Sequence, residues 1–270
     1  MRRIVHLSDL HFGRIDPVVL GVLAETVRRI GPDVIVVSGD LTQRARRNEF
    51  AAASDFLAGL AFPKVVVPGN HDVPLYNVYR RAFHPLSRFR QFFGEATTPA
   101  YVDQEVAIVG VSTARALTFK NGRINREQVA EVCRRLEPLG DGVTRVVVTH
   151  HPFHAEDERS ADGLLGRAAM AMAGFARCRI DLILSGHLHS GQFALSEARY
   201  RHPDHSALLV QAGTATSIRR RGEANSFNLI VLDRPTIAVE RWRWDNSRAG
   251  FAPSTGARFT KVGSAWKALP

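Results

Sequence analysis

The chain has 270 residues, 45% of them hydrophobic, with 36 Lys and Arg against 26 Asp and Glu. That length and apolar content suit one large globular domain with a full core, and exclude a disordered or fibrous chain. The formal charge of +10 favours anionic partners (phosphorylated small molecules, nucleic acid or an acidic membrane surface), and two cysteines exclude a disulfide-dense scaffold.

The opening MRRIVHLSDLHF has an apolar stretch too short for a leader and already carries Asp9. A strand is expected over 3–8, then a helix over 17–30 opened by Pro17 and ended by Gly31-Pro32. A strand near 33–38, a helix near 48–60 and a strand near 64–68 continue the alternation. Asp9, Asp40 and Asn70 fall about one βαβ unit apart, so these strands should be parallel neighbours. Residues 73–104 break the rhythm. Tyr76, Tyr79, Phe83, Phe89, Phe92 and Phe93 recur at helical spacing among arginines, and Pro85 should divide the helix. This segment is read as a helical cap over the site.

A strand near 105–112, a helix near 125–138 and a strand ending at His150 follow. A helix near 164–178, with Met170, Met172 and Phe175 as core filler, leads to a strand ending at Gly186. From 191 onward four strands without helices should form a second, largely antiparallel sheet. The expected organisation is one domain over 1–244, with the cap as an insertion, and a surface tail over 245–270. Cys133 and Cys178 read as buried free thiols in a reducing cytoplasm. No stretch approaches the roughly 18 apolar residues of a membrane span, so a soluble cytoplasmic protein is expected, with peripheral membrane contact left open.

Five motifs each close an apolar, β-branched run: Asp9-Leu10-His11, Gly39-Asp40, Gly69-Asn70-His71-Asp72, His150-His151-Pro152 and Gly186-His187-Leu188-His189. Ligands of α/β sheets gather at the carboxyl ends of strands, so the five ends should share one crevice. Carboxylate oxygen, amide oxygen and imidazole nitrogen, without thiolate, suit Mn, Fe or Zn. Asp40 stands between the two halves of the set, and a carboxylate can bridge two cations. Two divalent ions against two carboxylates leave a net positive well for a phosphodiester. Paired metals about 3.5–4 Å apart can generate hydroxide near neutral pH and clamp an in-line displacement. His71 is placed to protonate the leaving oxygen. Asp72 has two readings, as the partner that fixes the His71 tautomer or as a loop carboxylate capping backbone amides. Arg14, Arg44 and Arg219 form a basic rim suited to phosphate. His151 and His154 lie beside a ligand. His6, His84, His202 and His205 read as structural or surface groups.

These motifs resemble the calcineurin-like metallophosphoesterase superfamily over roughly residues 3–240, most nearly its bacterial class III cyclic-nucleotide phosphodiesterase branch. The resemblance implies a four-layer αββα sandwich, an α/β fold of two mixed sheets with a dinuclear site at strand C-terminal ends. One metal would be held by Asp9, His11, Asp40 and His189, and the other by Asp40, Asn70, His150 and His187. His71 would act on the leaving group. Two departures, Gln43 where relatives carry an acid and Phe153 where the branch often has a second Pro, bear on substrate rather than reaction. The expected function is hydrolysis of a small diester such as a 3′,5′-cyclic nucleotide. A UDP-diacylglucosamine-like lipid-linked pyrophosphate and a Mn-dependent nuclease are the alternatives. Aromatic interleaving of the kind that marks a single-strand track is absent around the rim arginines. Oligomeric state is left open.

Overall fold

The computed structural model describes residues 1–95, 98–156, 162–203, 205–218 and 223–270. Two mixed sheets face each other. The first has the order β13-β12-β11-β10-β1-β2-β3, with β1 Arg2–Leu7, β2 Val34–Ser38, β3 Lys64–Val67, β10 Ser226–Asp233, β11 Thr236–Asp245, β12 Gly250–Val262 and β13 Ala265–Ala268. The second has the order β4-β5-β6-β7-β9-β8, with β4 Ala100–Val102, β5 Val106–Gly110, β6 Thr144–Val148, β7 Leu182–Ser185, β8 Gln192–Leu195 and β9 Leu208–Gln211.

Strand alternation builds the layers. In β1 and β2 the residues Ile4, Val34 and Val36 point between the sheets, where they meet Ile108, Val146, Val148 and Leu184. Their neighbours Val5, Ile35 and Val37 point the other way, onto Val19, Leu23 and Val27 of α1 (Pro17–Ile30) and Phe50 and Leu57 of α2 (Arg47–Ala58). On the far side Val109, Val147 and Ile183 pack against Val129 and Val132 of α5 (Arg126–Leu136) and Met172 and Phe175 of α6 (Ala168–Arg177). Because β1, β2, β5, β6 and β7 are buried and apolar on both faces, the result is the expected αββα sandwich. The βαβ spacing holds too: β1, β2 and β3 are parallel neighbours. Asp16 caps α1 through Val18 N at 3.0 Å, Pro17 opens it, and Gly31 closes it with left-handed backbone.

Four expectations are corrected. The strands after residue 191 do not make a separate sheet. β8 and β9 extend the second sheet, with β9 parallel to β7, and β10 and β11 extend the first, with β10 antiparallel to β1. The expected surface tail, 245–270, forms β12 and β13 of the first sheet instead, and Trp266 is fully buried. Its Gly, Ser and Arg content masked a strand whose outer face is solvated. The cap is divided at Pro85 into α3 (Val78–Phe83) and α4 (Ser87–Phe93). Among its described residues, none from 73–84 joins a core cluster. α4 packs on α2, with Phe50 stacked 6.1 Å from Phe92 and Phe89 buried, and β4 joins the second sheet. Finally, Cys133 and Cys178 are not free thiols. α5 and α6 lie side by side, bring the two Cα atoms to 5.3 Å, and the sulfurs are bonded. Cysteine usage therefore gives no argument for a reducing compartment. Among the described residues no helix is long and apolar enough to cross a membrane.

Candidate metal centre

All five strand-end motifs meet at one edge of the sandwich. After β1 and β2 the chain continues in ladder register, with Asp9 N bonding Gly39 O at 3.1 Å and His11 N bonding Asp40 O at 2.9 Å. The turn after β9 closes the edge from the other side, where Thr214 and Thr216 hydroxyls donate to the carbonyls of Asp9 and Leu10.

The turns that present the donors are strained. Asp9, His11, Asp40, His187 and His189 all have φ between 51° and 76°, and they are five of the nine positive-φ non-glycine residues in the described chain. Left-handed backbone costs each roughly 1–2 kcal/mol. Such strain persists where surrounding structure imposes it, and it clusters at functional sites. Gly39 has φ +91°, and a Cβ there would meet His150 Nδ1 at 2.5 Å.

Asp9, Asp40, His150 and Asn70 are each oriented by a bond on the outer side. Asp9 Oδ2 accepts from Ser8 Oγ at 2.6 Å and His187 N at 3.0 Å, which turns Oδ1 inward. Oδ1 lies 3.2 Å from His189 Nε2 and 3.7 Å from His11 Nε2, and those two nitrogens are 3.2 Å apart. Asp40 Oδ1 accepts from His71 N, while Oδ2 lies 3.4 Å from His150 Nε2 and 3.9 Å from His11 Nε2. His150 donates from Nδ1 to Ser38 O and directs Nε2 to Asn70 Oδ1 at 3.1 Å and His187 Nδ1 at 3.2 Å. Asn70 Nδ2 donates to Phe119 O, which fixes the amide with its oxygen toward the site.

This arrangement fits two cations. Donors bound at about 2.0–2.2 Å stand about 3–3.5 Å from one another, and the spacings here run from 3.1 to 3.9 Å. Asp9, His11, Asp40 and His189 form one buried group with all donor atoms within 4.8 Å of one another, and His150 and His187 belong to a second. Oδ2 of Asp40 faces both. His151 also falls in the second group, but its Nδ1 contacts Thr113 Oγ1 at 2.8 Å and its Nε2 meets Lys120 O at 2.9 Å. Both nitrogens are thus engaged away from the centre, and His151 ties the 113–120 loop to the ligand beside it.

The profile of the calcineurin-like phosphoesterase family matches residues 2–191. The chain belongs to that family. A glycerophosphodiester phosphodiesterase from Enterobacter lignolyticus is 32% identical over 164 residues, 56% of this chain and 57% of that protein. A probable cyclic nucleotide phosphodiesterase from Synechococcus is 25% identical over 167 residues, 60% of each chain. The chain therefore spans less than two thirds of the length of either relative. Among solved structures, a dimetal phosphatase from Danio rerio gives a TM-score of 0.65 at 12% identity, covering 94% of this chain and 98% of that one. A purple acid phosphatase from yellow lupin seeds gives 0.68 at 12% identity, covering 94% and 53%. At such identities they show the shared fold.

Within this calcineurin-like phosphoesterase the electrostatics are those of a cation-seeking cage. Burial pushes the Asp40 carboxyl up, but His150 and His71 outweigh it and hold it well below the usual carboxylate range. Burial likewise opposes the charge on His150, yet Asp40 and Asp9 raise it to about 9. His11 and His187 are lowered to about 3, first by burial, and so present neutral lone pairs.

His71 lies at the edge, its ring edge-on to His11 at 4.9 Å. Its Nδ1 bonds Gln43 O at 2.9 Å, so Nε2 is the atom directed elsewhere. Gln43, where an acid was expected from the resemblance, thus acts on His71 through its main chain. The reading of Asp72 as the imidazole's partner is corrected. Asp72 accepts from Gly69 N, Leu41 N, Thr42 N and Thr42 Oγ1 at 2.8–3.2 Å, capping the amides that join the β2 and β3 loops. Burial, with Asp40 next, pushes its carboxyl up to about 6.

The rim is only partly legible. Arg14 is exposed after the His11 turn. The Arg44 guanidinium lies 5.7 Å from the Tyr76 ring, between the Asp40 loop and α3. Arg219 lies outside the described residues. No motif marks the 112–123 loop, which reaches the centre through Phe119 O and Lys120 O. A cavity of about 300 Å³ opens between that loop and α4, lined by Pro68, Leu86, Phe89, Pro99, Arg90 and Arg115.

Proposed function

We propose that this protein is a metal-dependent hydrolase of small phosphodiesters, with a 3′,5′-cyclic nucleotide as the first candidate substrate. The observation that carries the reading is the convergence of Asp9, His11, Asp40, His189, Asn70, His150 and His187 around the inward carboxylate oxygens of Asp9 and Asp40. Asp9, His11, Asp40 and His189 would hold one divalent cation, and Asp40, Asn70, His150 and His187 the other, with Mn, Fe or Zn suited to the donor set. When bound, such a pair neutralises a phosphodiester and makes water acidic enough to act as nucleophile near neutral pH.

The chain's own groups do the rest. His71, anchored at Nδ1 by Gln43 O, holds Nε2 where it can deliver a proton to the departing oxygen. Asp72 fixes the loop that carries Asn70 and His71, and so acts as a positioning residue. Arg14 and Arg44, with Arg219, supply cationic groups for the phosphate oxygens. The two relatives, named for glycerophosphodiesters and cyclic nucleotides, support a small diester.

The test is turnover by Mn-loaded protein of 3′,5′-cyclic AMP, a glycerophosphodiester and bis(p-nitrophenyl) phosphate. Hydrolysis of all three is the expected result for an open site for small diesters. The aryl diester together with the glycerophosphodiester, but not the cyclic nucleotide, would reassign the substrate. Failure on all three by protein that retains metal would overturn the reading. A lipid-linked pyrophosphate is the second reading, favoured by the largely apolar cavity beside Pro68 with its two arginines. Cleavage of UDP-diacylglucosamine, with the small diesters left intact, would establish it.

A further inference from the structure

Half of the twelve exposed large apolar side chains in the described residues belong to two short segments. Tyr76, Val78, Tyr79 and Phe83 lie in and before α3, Leu117 and Phe119 in the facing loop, and they are 63–92% exposed. The two segments form one surface. Arg81 is buried between them, donates to Pro74 O at 3.0 Å and Thr118 O at 2.6 Å, and lies 4.2 Å over the Phe119 ring. Tyr79 and Phe83 touch, with ring centres 5.1 Å apart. A clustered apolar surface of this kind marks an interaction site rather than ordinary scatter.

The charges around it select the partner. Residues 73–94 contain four arginines and no Asp or Glu, and residues 111–126 contain Arg115, Lys120, Arg123 and Arg126 and again no acid. Arg80 and Lys120 are exposed beside the aromatics, and Arg44 sits against Tyr76. A second copy would lay this surface on itself in a two-fold dimer and oppose like charges. Aromatic side chains interspersed with cations suit the boundary between acyl chains and anionic headgroups, where rings enter and Lys and Arg stay at the phosphates.

We propose that this face docks the protein on an anionic lipid bilayer. The loop that carries Leu117 and Phe119 also bonds Asn70 and His151. Docking therefore turns the metal edge toward the headgroup layer. The inference stands apart from the catalytic reading, because it concerns the outer face of α3 and not the donors.

The test floats full-length, metal-loaded protein with vesicles of phosphatidylcholine and phosphatidylglycerol in equal parts, beside vesicles of phosphatidylcholine alone. Binding to the mixed vesicles should exceed binding to the neutral ones by about tenfold, and Y79S/F83S should lose about the same factor. Both substituted side chains are solvent-facing, so the variant should keep its melting temperature and metal content. Asp40→Ala should float like the wild type, which separates docking from occupancy of the site by a headgroup. Equal flotation of Y79S/F83S and wild type, or no flotation at all, would overturn the proposal. So would a dimer in sedimentation equilibrium that Y79S/F83S abolishes while flotation stays unchanged, since that assigns the face to a second copy.

Discussion

The strand-end loops and the face made by α3 and the 112–123 loop touch each other, yet they are built in opposite ways. In the loops every donor but the half-buried Asn70 is buried, the backbone is left-handed at five of them, and Asp9, Asp40, Asn70 and His150 are gripped from outside by a backbone group or hydroxyl. On the face the side chains are exposed, and one buried guanidinium holds the two segments together. Strain and burial preorganise the first region, so its geometry resists small perturbations and fails when a donor is lost. The second can adjust to what meets it. Variants should therefore sort by region: those at the strand ends change metal content or rate, and those on the face change affinity.

The largest effect should come from Asp40→Ala. Oδ2 faces both donor groups and Oδ1 holds His71 N, so the substitution takes a carboxylate oxygen from both and loosens the third loop. Activity should fall to background, and metal analysis should show both equivalents lost. Retention of two metals would break the assignment of Asp40 as the shared ligand. His71→Ala should come next. It removes the proposed proton donor, which lies outside the donor groups, so metal content should stay at the wild-type value while kcat falls by about 10²–10⁴-fold. A poor aryl leaving group should suffer more than a good one, because only the poor one needs the proton. An equal loss for both would sink the role given to Nε2.

The same contrast explains what was legible in the sequence. The strand ends were, because a buried parallel strand reads as an uninterrupted β-branched run and the residue after it has nowhere to go but the edge. Asp9, His11, Asp40, Asn70, His150, His187 and His189 all follow such runs. The role of Asp72 was not legible, since a carboxylate beside an imidazole in sequence need not touch it in space, and four donors from neighbouring loops claimed it. The tail was misread for a different reason. β12 runs for 13 residues with only Phe251 and Phe259, far apart along it, buried, and its alternation is hidden by Gly, Ser and Thr between them. The Cys133–Cys178 pair had no spacing signal, because it depends on how α5 and α6 pack. The face was visible only as aromatics at helical spacing. Which of them α4 buries against Phe50 and which α3 leaves in water is a tertiary outcome.

Acid should also separate the regions. His6, beneath the site, bonds Ser38 Oγ at 2.9 Å, and burial lowers it to about 3, with Asp9 opposing. A group whose folded value is depressed stabilises the fold above its unfolded value near 6.5, and that stability drains away as pH falls toward the folded value. Metal-free protein should therefore lose stability below pH 6.5, with His11 and His187 adding to the slope. Each histidine contributes at most about 1.4 kcal/mol per pH unit. Asp72, raised to about 6, has the opposite sign and recovers part of the loss between pH 6 and the ordinary carboxylate range. Urea unfolding of wild type and His6→Gln from pH 7 to pH 4.5 checks this. The variant should show the shallower dependence, and parallel curves would mean that His6 does not titrate with unfolding.

The smallest effect should come from Arg81→Ala, and it tests the comparison most sharply because Arg81 is the one buried ion on the adaptable side of the boundary. Its guanidinium satisfies Pro74 O and Thr118 O together, a geometry that a lysine cannot reproduce. Without it the 117–120 turn loses its brace, and Phe119 O, the partner of the Asn70 amide, becomes free to shift. Asn70 is still held by its own turn after β3, so the metal should stay. The expected result is a KM for a small diester raised roughly threefold to tenfold, on the order of 1 kcal/mol. Metal content should be unchanged and kcat should stay within about twofold. Arg81→Lys should sit near the alanine variant rather than near wild type. If Arg81→Ala instead releases metal as Asp40→Ala does, the boundary lies elsewhere: the 112–123 loop would belong to the rigid cage, and Phe119 O would count among the groups that hold the centre in shape.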